Sequence, residues 1–373
     1  MRLKKGLVDE NASSVIGIQY KVLGDYIKKE TKNDIIMPKV AVMVINLNGM
    51  HHLENCLNSL RYQTYPNYEV YIVDNGSTDG SLTFIKKYYP WVKIIAFMKN
   101  LGFAKGYNEA VKKINGFDFV VFLNNDTKAD EKWLSELVKE MVKDDRVAAV
   151  GSKILLYYSP TLLHNAGTKI SPVTGGFDIA LFEKDGAQFS IRTYIGAACG
   201  ASMLVRKDVF LKVGGFDETY FAFFEDVDFC WRAWLCGYKI VYAPASIVYH
   251  ERGGSFGQKS ALSTFLGGRN QLITIIKNCQ WLTLLAGIYF ITPILMARVV
   301  LSLKEKRLGE VFATFNSVLY VLRNLREIFY KRRIIQRNRV ISDRKLLSMG
   351  VMATISETIR AELGLLPSKV VEI

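Results

Sequence analysis

The stretch VVFLNNDT, residues 120–127, runs from apolar side chains directly into two asparagines and an aspartate. A short apolar run rich in valine and phenylalanine and ended by such residues is typical of a strand buried on both faces. The polar cluster would then lie at the carboxyl end of a strand, where ligands bind in an open parallel sheet. A plain Asx turn would need the same residues, so the rest of the chain must decide between the two interpretations.

Strand and helix patterns alternate around this stretch. The apolar segments VAVMVI, YEVYIVD, VKIIAF and FDFVVFL are separated by helix-like segments, which predicts βαβ units with right-handed crossovers. The predicted fold class is therefore α/β, with a Rossmann-like, doubly wound, mostly parallel sheet. Each strand pattern ends in a polar cluster, namely NLNG (46–49), DNGSTDGS (74–81), KNLGFAKG (99–106) and NNDT (124–127). Four clusters at one sheet edge predict a polar crevice.

Two carboxylates in these clusters differ in their surroundings. Asp74 precedes small residues whose backbone can approach a ligand closely, and its carboxylate suits a base imide or a ribose hydroxyl. A capped helix start explains the same residues, and both interpretations can hold together. Asp126 suits a hard divalent cation that neutralises phosphate oxygens, so the pair indicates a nucleoside diphosphate. The sequence has no GxxxxGK[ST] loop and no GxGxxG after the first strand, which disfavours P-loop ATPases and dinucleotide oxidoreductases.

Composition limits the class of protein further. The chain has 373 residues, so we expect one large α/β domain with an appended region. A formal charge of +14 requires a polyanionic neighbour, either a nucleic acid, an anionic membrane or a phosphorylated substrate. The five cysteines include no CxxC pair and the four histidines show no zinc-finger spacing, which indicates a reduced, cytosolic-facing protein.

Over residues 39–252 the chain resembles the family 2 glycosyltransferases of the GT-A fold, in particular the rhamnosyltransferase-like branch. Six blocks carry the resemblance in the expected order: VINLNG, VDNGSTDGS, NLGFAKGYN, LNNDT, CGASMLVRKDVFLKVGGFDE and FFEDVDFCWRAWLCGYKIVYAPASIVYH. The resemblance implies inverting, metal-dependent transfer of a single sugar, with rhamnose as a candidate, from a UDP- or dTDP-sugar to a glycan or lipid-linked acceptor. Such transfer would serve the synthesis of a cell-surface polysaccharide or glycoconjugate. A processive polymerase would carry QxxRW after the base motif, and this sequence has none.

The resemblance also implies roles for individual residues. The metal-binding DxD motif of the family would end at Asp126, with Asn124 in place of its first aspartate. Mg²⁺ or Mn²⁺ would be held by Asp126 together with His250. The donor-binding residues that the resemblance implies are Asn46, Asp74, Asn75, Gly102, Asn108 and Asn125.

A second acidic cluster lies in YFAFFEDVDFCWRAW, where Glu225, Asp226 and Asp228 stand among aromatic residues. Burial among apolar side chains raises the pKa of a carboxyl group, which suits a general base that deprotonates a sugar hydroxyl. The resemblance makes Asp226 the catalytic base, with Glu225 contacting the acceptor or tuning its neighbour. Asp228 precedes Arg232 by four residues, which predicts a helical ion pair. A capped helix start is the structural alternative for this trio.

The character of the sequence changes beyond residue 252. No charged residue occurs between Lys277 and Arg298, and the basic run RNLREIFYKRRIIQRNR follows at 323–339. These features predict a helical, membrane-associated region, peripheral or hairpin-anchored on the cytoplasmic face of the cell membrane. RNA binding is the rival interpretation of the basic run, but the adjoining apolar segment favours the membrane, so no nucleic-acid partner is expected. A cut near residue 278 should then release a soluble domain.

We therefore divide the chain into four parts. They are an N-terminal extension of unknown role (1–36), a GT-A domain (37–265), a helical membrane-associated region (266–345) and a tail (346–373). The GT-A domain has a nucleotide-binding half (37–130) and an acceptor half (131–265). Two other functions stay open at this point. A sugar nucleotidyltransferase should show a Gly-rich, Arg- and Lys-bearing loop after the first strand, which NLNGMHH lacks. A non-catalytic membrane-associated or nucleic-acid adaptor has no reason to keep carboxylates at both Asp126 and Asp226.

Overall fold

The computed structural model describes residues 37–251 and 260–364. The predicted N-terminal extension and residues 365–373 of the predicted tail lie outside the described residues. The strands are β1 Val40–Asn46, β2 Tyr68–Asp74, β3 Lys93–Ala96, β4 Phe119–Asn124, β5 Thr127–Ala129, β6 Val147–Leu156, β7 Ser159–Asn165, β8 Thr168–Ser171, β9 Gly175–Asp178, β10 Thr193–Tyr194, β11 Ser202–Arg206 and β12 Lys239–His250.

The helices follow the predicted alternation and then dominate the C-terminal third of the chain. They are α1 Met50–Arg61, α2 Ser81–Tyr88, α3 Gly102–Lys112, α4 Trp133–Val142, α5 Lys207–Val213, α6 Glu225–Leu235, α7 Ala261–Asn278, α8 Trp281–Lys304, α9 Leu308–Arg323, α10 Leu325–Arg337, α11 Asp343–Ser348 and α12 Ile355–Glu362.

One ten-stranded sheet forms the centre of the molecule, in the order β10-β12-β6-β11-β4-β1-β2-β3, with β5 paired to β12 and β7 to β6. Strands β1 to β4 are mutually parallel where they adjoin. Strand β11 runs antiparallel to both β4 and β6, and β8 pairs with β9 in a separate hairpin. The predicted α/β class with a mostly parallel sheet is confirmed, and the antiparallel strands all lie on the acceptor side of β4.

The register of the parallel strands brings their polar ends level. Asn46 lies opposite Asp74 across β1 and β2, and Asn124 lies opposite Ile45 across β4 and β1. The hydroxyl of Tyr107 on α3 lies 2.8 Å from the carbonyl oxygen of Leu123, where it donates a buried hydrogen bond. Because Leu123 directly precedes the polar cluster, this contact fixes the end of β4 against the helix that covers it.

The C-terminal helices pack on the sheet domain. On α7, the side chain of Asn270 donates to the carbonyl oxygen of Ala222 at 2.8 Å. Arg332 of α10 lies 2.6 Å from the carbonyl oxygen of Cys279. The amide of Ala353 donates to the carbonyl oxygen of Ile170 at 2.8 Å, which docks the chain after α11 on β8. The boundary drawn at 265/266 thus falls inside α7, and a cut near residue 278 would remove partners of the sheet domain rather than release it intact.

A network of buried charges joins the acidic motif to these helices. Asp228 accepts from Arg232 at 2.8 Å, as the four-residue spacing predicts, and lies 3.0 Å from the ammonium of Lys277. Lys277 also contacts Asp217 at 2.6 Å, and Lys331 of α10 reaches the other oxygen of Asp217 at 2.8 Å. Burial opposes ionisation of Asp217 and Asp228, but the surrounding cations outweigh it and lower the pKa of both carboxyl groups. Helices α6, α7 and α10 are therefore connected by charge.

We expect Asp228→Asn to destabilise the protein by about 3–5 kcal/mol, because it leaves buried cations without full compensation. Urea unfolding of full-length protein in mild detergent measures the loss. The matched control is Glu109→Gln, which breaks an exposed pair with Lys112 at 2.7 Å and should change stability by less than about 1 kcal/mol. Equal effects of the two substitutions would contradict a structural role for the buried network.

Candidate active site

The ends of β1, β2 and β4 form a connected polar cluster. The Nδ2 of Asn46 donates to Asp74 at 3.1 Å, and the Nδ2 of Asn125 donates to Asn46 at 2.8 Å. The second carboxylate oxygen of Asp74 accepts from the backbone amide of Ser77 at 3.0 Å. The structure therefore brings together three of the predicted donor residues, and Asp74 also stabilises its own turn. The alternative of a capped helix start is wrong, because the N-cap residue of α2 is Gly80 and makes no side-chain hydrogen bond to that helix.

The backbone at Gly49 lies so close to this cluster that no side chain fits there. A Cβ at Gly49 would lie 2.1 Å from the Nδ2 of Asn125 and 2.8 Å from the Oδ1 of Asn46. Any side chain at that position would displace both amides. The NLNG turn after β1 thus supports the cluster through its lack of a side chain.

The other predicted donor residues are Asn75, which directly follows β2, and Gly102 and Asn108, which are on α3. The Nδ2 of Asn75 donates to the carbonyl oxygen of Gly102 at 3.0 Å, so these two are brought together. The Oδ1 of Asn75 is buried and has no hydrogen-bond partner among residues 37–251 and 260–364. Asn108 is not brought to them, because its amide donates to the carbonyl oxygen of Phe216 at 2.8 Å and accepts from the amide of Phe216 at 3.0 Å. Asn108 therefore fastens the loop before the acidic motif.

A histidine and a carboxylate meet where β12 passes β5. The Nε2 of His250 lies 3.0 Å from the Oδ1 of Asp126, and both side chains are buried. No donor in the described part of the chain reaches that oxygen with hydrogen-bond geometry. Burial opposes ionisation of Asp126, but nearby His250 and His52 outweigh it and lower the pKa of the carboxyl group. A buried carboxylate oxygen 3.0 Å from an imidazole nitrogen offers two ligand types that a divalent cation takes.

Two further histidines adjoin this pair, and neither carried a sequence signal for the site. The Nδ1 of His164 on β7 lies 2.9 Å from the Nδ1 of His250, so a ring-to-ring hydrogen bond orients the second ring. His52 lies 3.3 Å from Glu251. The described residues contain no group of three or more His, Cys, Asp or Glu side chains arranged around one metal position. Any cation at Asp126 and His250 would therefore need ligands from a substrate or from water.

The acidic motif begins helix α6. One oxygen of Asp226 accepts from the amide of Gly200 at 2.7 Å, and the other accepts from the amide of Val227 at 2.8 Å. The amide of Asn124 in turn donates to the carbonyl oxygen of Ala201 at 3.1 Å. The loop that contains Gly200 and Ala201 therefore touches the base candidate on one side and the metal-binding motif on the other.

Three residues just before the motif adopt a conformation that side chains disfavour. Phe221, Phe223 and Phe224 have φ values of +64°, +70° and +68°. Left-handed conformations at bulky residues store strain of about 1–3 kcal/mol each and persist only where surrounding contacts impose them. Here the carbonyl oxygen of Phe221 accepts from the amide of Phe103 at 2.6 Å, at the start of α3. This hydrogen bond ties the segment before α6 to the start of α3.

The three carboxylates of the motif differ in charge environment. Burial and the neighbouring charge of Asp226 raise the pKa of Glu225 well above its ordinary value, and its Oε2 has no partner among the described residues. Burial also raises the pKa of Asp226, although the amides of Gly200 and Val227 oppose the shift. Asp228, by contrast, is compensated by cations. The motif therefore offers two carboxyl groups suited to holding a proton and one suited to structure.

Comparison with known proteins places this geometry in a family. The Glycosyl transferase family 2 model matches residues 41–214, which include every strand-end cluster. These residues form a family 2 glycosyltransferase domain. The predicted resemblance is confirmed, and the match supports a glycosyltransferase over the nucleotidyltransferase and the adaptor.

Related sequences agree with the predicted branch of this glycosyltransferase. It is 28% identical over 248 residues to the N-acetylglucosaminyl-diphospho-decaprenol L-rhamnosyltransferase of Mycobacterium tuberculosis, covering 61% of this chain and 79% of the relative. It is 26% identical to glycosyltransferase AglE of Haloferax volcanii, covering 57% and 67% of the two chains. The glycosyltransferase is thus rhamnosyltransferase-like in sequence.

A solved structure supports the fold. GalNAc-T7, crystallised with UDP, GalNAc and Mn²⁺, matches with a TM-score of 0.55 and 16% identity, covering 73% of the glycosyltransferase and 57% of that chain. At this identity the likeness concerns the fold alone. The predicted GT-A fold is confirmed.

We expect Glu225→Gln to stabilise the glycosyltransferase at neutral pH. The raised pKa of Glu225 means that the folded chain binds this proton more tightly than the unfolded chain, so wild-type stability falls as pH rises above about 4.3 through the folded pKa. Glutamine has no such penalty, so the gain should be absent near pH ~4 and grow toward pH ~7. Urea unfolding across this pH range measures it.

The control is Glu109→Gln, because a hydrogen bond from Lys112 lowers the pKa of Glu109 and the sign is reversed. That substitution should give no gain at neutral pH. A Glu225→Gln protein less stable than wild type at neutral pH would show that the buried carboxylate is compensated.

Proposed function

We propose that this glycosyltransferase moves a single sugar, rhamnose, from a UDP- or dTDP-sugar to a lipid-linked acceptor with inversion at the anomeric carbon. The observation that carries the proposal is the loop at Gly200 and Ala201, which contacts Asp226 by one amide and the Asn124 backbone by one carbonyl. One short loop would thus hold both the base and the site of the donor diphosphate. The acceptor hydroxyl, deprotonated by the base, could then attack the anomeric carbon from the side opposite to the leaving diphosphate. Identity to the mycobacterial L-rhamnosyltransferase supports both the sugar and the lipid-linked acceptor.

The strand-end cluster would hold the nucleoside. Asn46, Asp74 and Asn125 form a chain of hydrogen bonds at the edge of the sheet, and the free Oδ1 of Asn75 can accept from a ligand. We assign Asn108 a positioning role, since both ends of its amide are engaged by Phe216.

Asp126 and His250 would hold Mg²⁺ or Mn²⁺. The cation, when bound, would neutralise charge on the donor diphosphate as the bond to the sugar breaks. His164 would fix the ring of His250 through the contact between their Nδ1 atoms, and outer partners of this kind set the orientation of a ligating histidine. Replacement of the first DxD carboxylate by Asn124 leaves the protein with one carboxylate ligand at this position.

Asp226 would take the proton from the acceptor hydroxyl as that hydroxyl attacks. Its two oxygens are held by the amides of Gly200 and Val227, which fixes the carboxylate while a remaining lone pair faces the acceptor. Glu225, buried with a raised pKa and an unpartnered oxygen, would hydrogen-bond the acceptor or hold a proton beside Asp226.

The apolar helices would place the enzyme at a membrane. Among the described residues, Trp281–Lys304 is the one helix long and apolar enough to span a bilayer. Its residues Leu284, Gly287 and Ile291 form a buried stripe, and a Cβ at Gly287 would lie 2.0 Å from the carbonyl oxygen of Pro172. This contact favours a helix lying along the protein over a single crossing. Large exposed apolar side chains occur on α8, α9 and α10, including Leu282, Leu285, Tyr289, Phe312, Phe315 and Tyr330.

Some residues of the basic run (323–339) pack inside the protein and others are exposed to solvent. Lys331 and Arg332 turn inward to Asp217 and to main-chain carbonyls. The exposed arginines of the run are Arg323, Arg326, Arg333 and Arg337. They adjoin the apolar face, as expected for a peripheral protein on anionic lipid at the cytoplasmic side.

The catalytic assignment predicts a contrast between two substitutions. Asp226→Asn keeps shape and hydrogen bonding but cannot accept the proton, so transfer should fall by about 10²–10⁴ while donor affinity stays near that of wild type. Asp126→Asn should weaken the metal-dependent part of donor binding as well. Single-turnover assays and calorimetry with UDP and dTDP, with and without Mn²⁺, separate the two effects.

Melting temperatures of both variants control for folding. Near wild-type turnover in Asp226→Asn together with loss in Glu225→Gln would move the base to Glu225. Equal nucleotide affinity of the wild type with and without metal would overturn the metal assignment.

The membrane assignment predicts binding of full-length protein to vesicles that contain anionic lipid. The double substitution Leu285→Ser and Tyr289→Ser removes two exposed apolar side chains one helical turn apart, which should lower partitioning by about tenfold or more. Tyr62→Ser changes an equally exposed tyrosine after α1 and should leave binding unchanged. Cosedimentation measures the bound fraction, and an unaffected double variant would contradict binding through α8.

A further inference from the structure

A cavity of about 400 Å³ lies beside the acidic motif, outside the strand-end cluster. Helices α7, α8, α9 and α12 and the β8–β9 hairpin line it. One wall is the ring of Phe224, the residue that directly precedes Glu225 and Asp226. Gly267 of α7 also lines the cavity, and a Cβ there would meet no atom within 4 Å, so the space at this wall is open.

Three buried polar atoms on the lining residues have no hydrogen-bond partner in the described part of the chain. They are the Oγ1 of Thr174, the Nε2 of Gln271 and the Nε of Arg307. Thr174 is 2% exposed and Gln271 is 3% exposed. Buried polar groups in native proteins are almost always satisfied, and an unsatisfied one costs about 1–3 kcal/mol. Three such atoms around one cavity indicate a ligand that supplies oxygen acceptors.

The charges of the cavity are balanced. Arg298 donates to Glu362 at 2.9 Å and to the Oε1 of Gln271 at 3.2 Å, so only the Nε2 of that amide is left over. Arg307 donates to Glu310 at 2.5 Å. Because each cation already faces a carboxylate, a free polyanion has no excess positive charge to bind here. Paired guanidinium and carboxylate groups, an amide and an aromatic ring suit the hydroxyl groups and the apolar face of a saccharide.

The opposite wall is apolar and leads to the exposed face of the C-terminal helices. Leu272, Leu295 and Val318 line the cavity together with Leu301, which is 54% exposed. From Leu301 the apolar side chains of α8 and α9 continue over the surface. A ligand that fills the cavity and follows this wall is therefore amphiphilic.

We infer that this cavity is the acceptor subsite, which takes the saccharide head of a lipid-linked acceptor while the lipid lies along α8 and α9. The inference rests on the proposed function, which supplies the reaction at Asp226. Phe224 sets the position of the head, since its ring forms the wall and its backbone continues into the motif. Gln271, Thr174 and Arg307 bind the head and determine acceptor specificity, without contact to the donor.

The test uses full-length protein in mild detergent and two probes, decyl N-acetylglucosaminide and decyl phosphate, each titrated by calorimetry without donor. Wild type should bind the saccharide probe more tightly than the phosphate probe. Gln271→Glu keeps the acceptor oxygen for Arg298 and replaces the unpartnered Nε2 donor with an oxygen, so it should weaken saccharide binding by about tenfold or more. Thr174→Val should weaken it in the same direction.

The matched control is Gln188→Glu, at an exposed glutamine far from the cavity in the fold, which should leave saccharide binding unchanged. UDP and dTDP affinity should be unchanged in Gln271→Glu and Thr174→Val, which shows that both variants are folded. Thr174→Val removes an unpartnered buried hydroxyl and should melt at or above the wild-type temperature. A second readout is transfer to decyl N-acetylglucosaminide, where KM for this acceptor should rise about tenfold while KM for the donor stays constant.

Two results would overturn the inference. One is wild-type binding of the saccharide probe no tighter than that of the phosphate probe, and the other is binding unaffected by Gln271→Glu. Failure of the proposed function is distinct, since it would appear as absent nucleotide binding or as full transfer activity in Asp226→Asn, neither of which involves the cavity.

Discussion

The contact between Asp228 and Lys277 is the interaction on which the rest of the active site depends. Asp228 is in the first turn of α6, two residues after Asp226, and Lys277 is at the end of α7. Through Asp217 the same network reaches Lys331 of α10. The helices that carry the apolar surface therefore hold the acidic motif in place. The C-terminal helices and the acidic motif are parts of one packed unit.

This network also explains how three acids can share one helical turn. Like charges at such spacing repel, and burial adds to the cost of each. The cations around Asp228 lower its pKa and keep it ionised, whereas Glu225 and Asp226 have no cation partner among the described residues and their pKa values are raised. The fold has thereby separated a structural carboxylate from two reactive ones within four residues. The left-handed conformation at Phe224 belongs to the same arrangement, since it sets where the helix starts.

Sequence patterns predicted the elements whose signal is local. Strands β1 to β4 end in polar clusters because apolar runs stop at Asn and Asp, and the parallel register makes those ends meet. The features that were missed depend on long-range pairing. Only the pairing of β7 with β6 and of β6 with β12 brings His164 to His250, and nothing near residue 164 indicates it. The basic run has the composition of a lipid-binding helix, but composition cannot show that Lys331 and Arg332 face carboxylate and carbonyl oxygens within the protein.

Helix α8 contributes to the apolar surface and also contacts the hairpin beside the proposed acceptor cavity. Its buried stripe contacts the hairpin turn at Pro172, two residues before Thr174 in the acceptor cavity. A helix that crossed a bilayer would carry these contacts away from the sheet domain, whereas a helix that lies in the interface leaves the cavity wall at the membrane surface. The chain can then receive a hydrophobic acceptor from the side while the nucleotide site at the strand ends stays in water. In the proposed reaction, two substrates of opposite solubility would meet at Asp226, because the fold gives each its own approach.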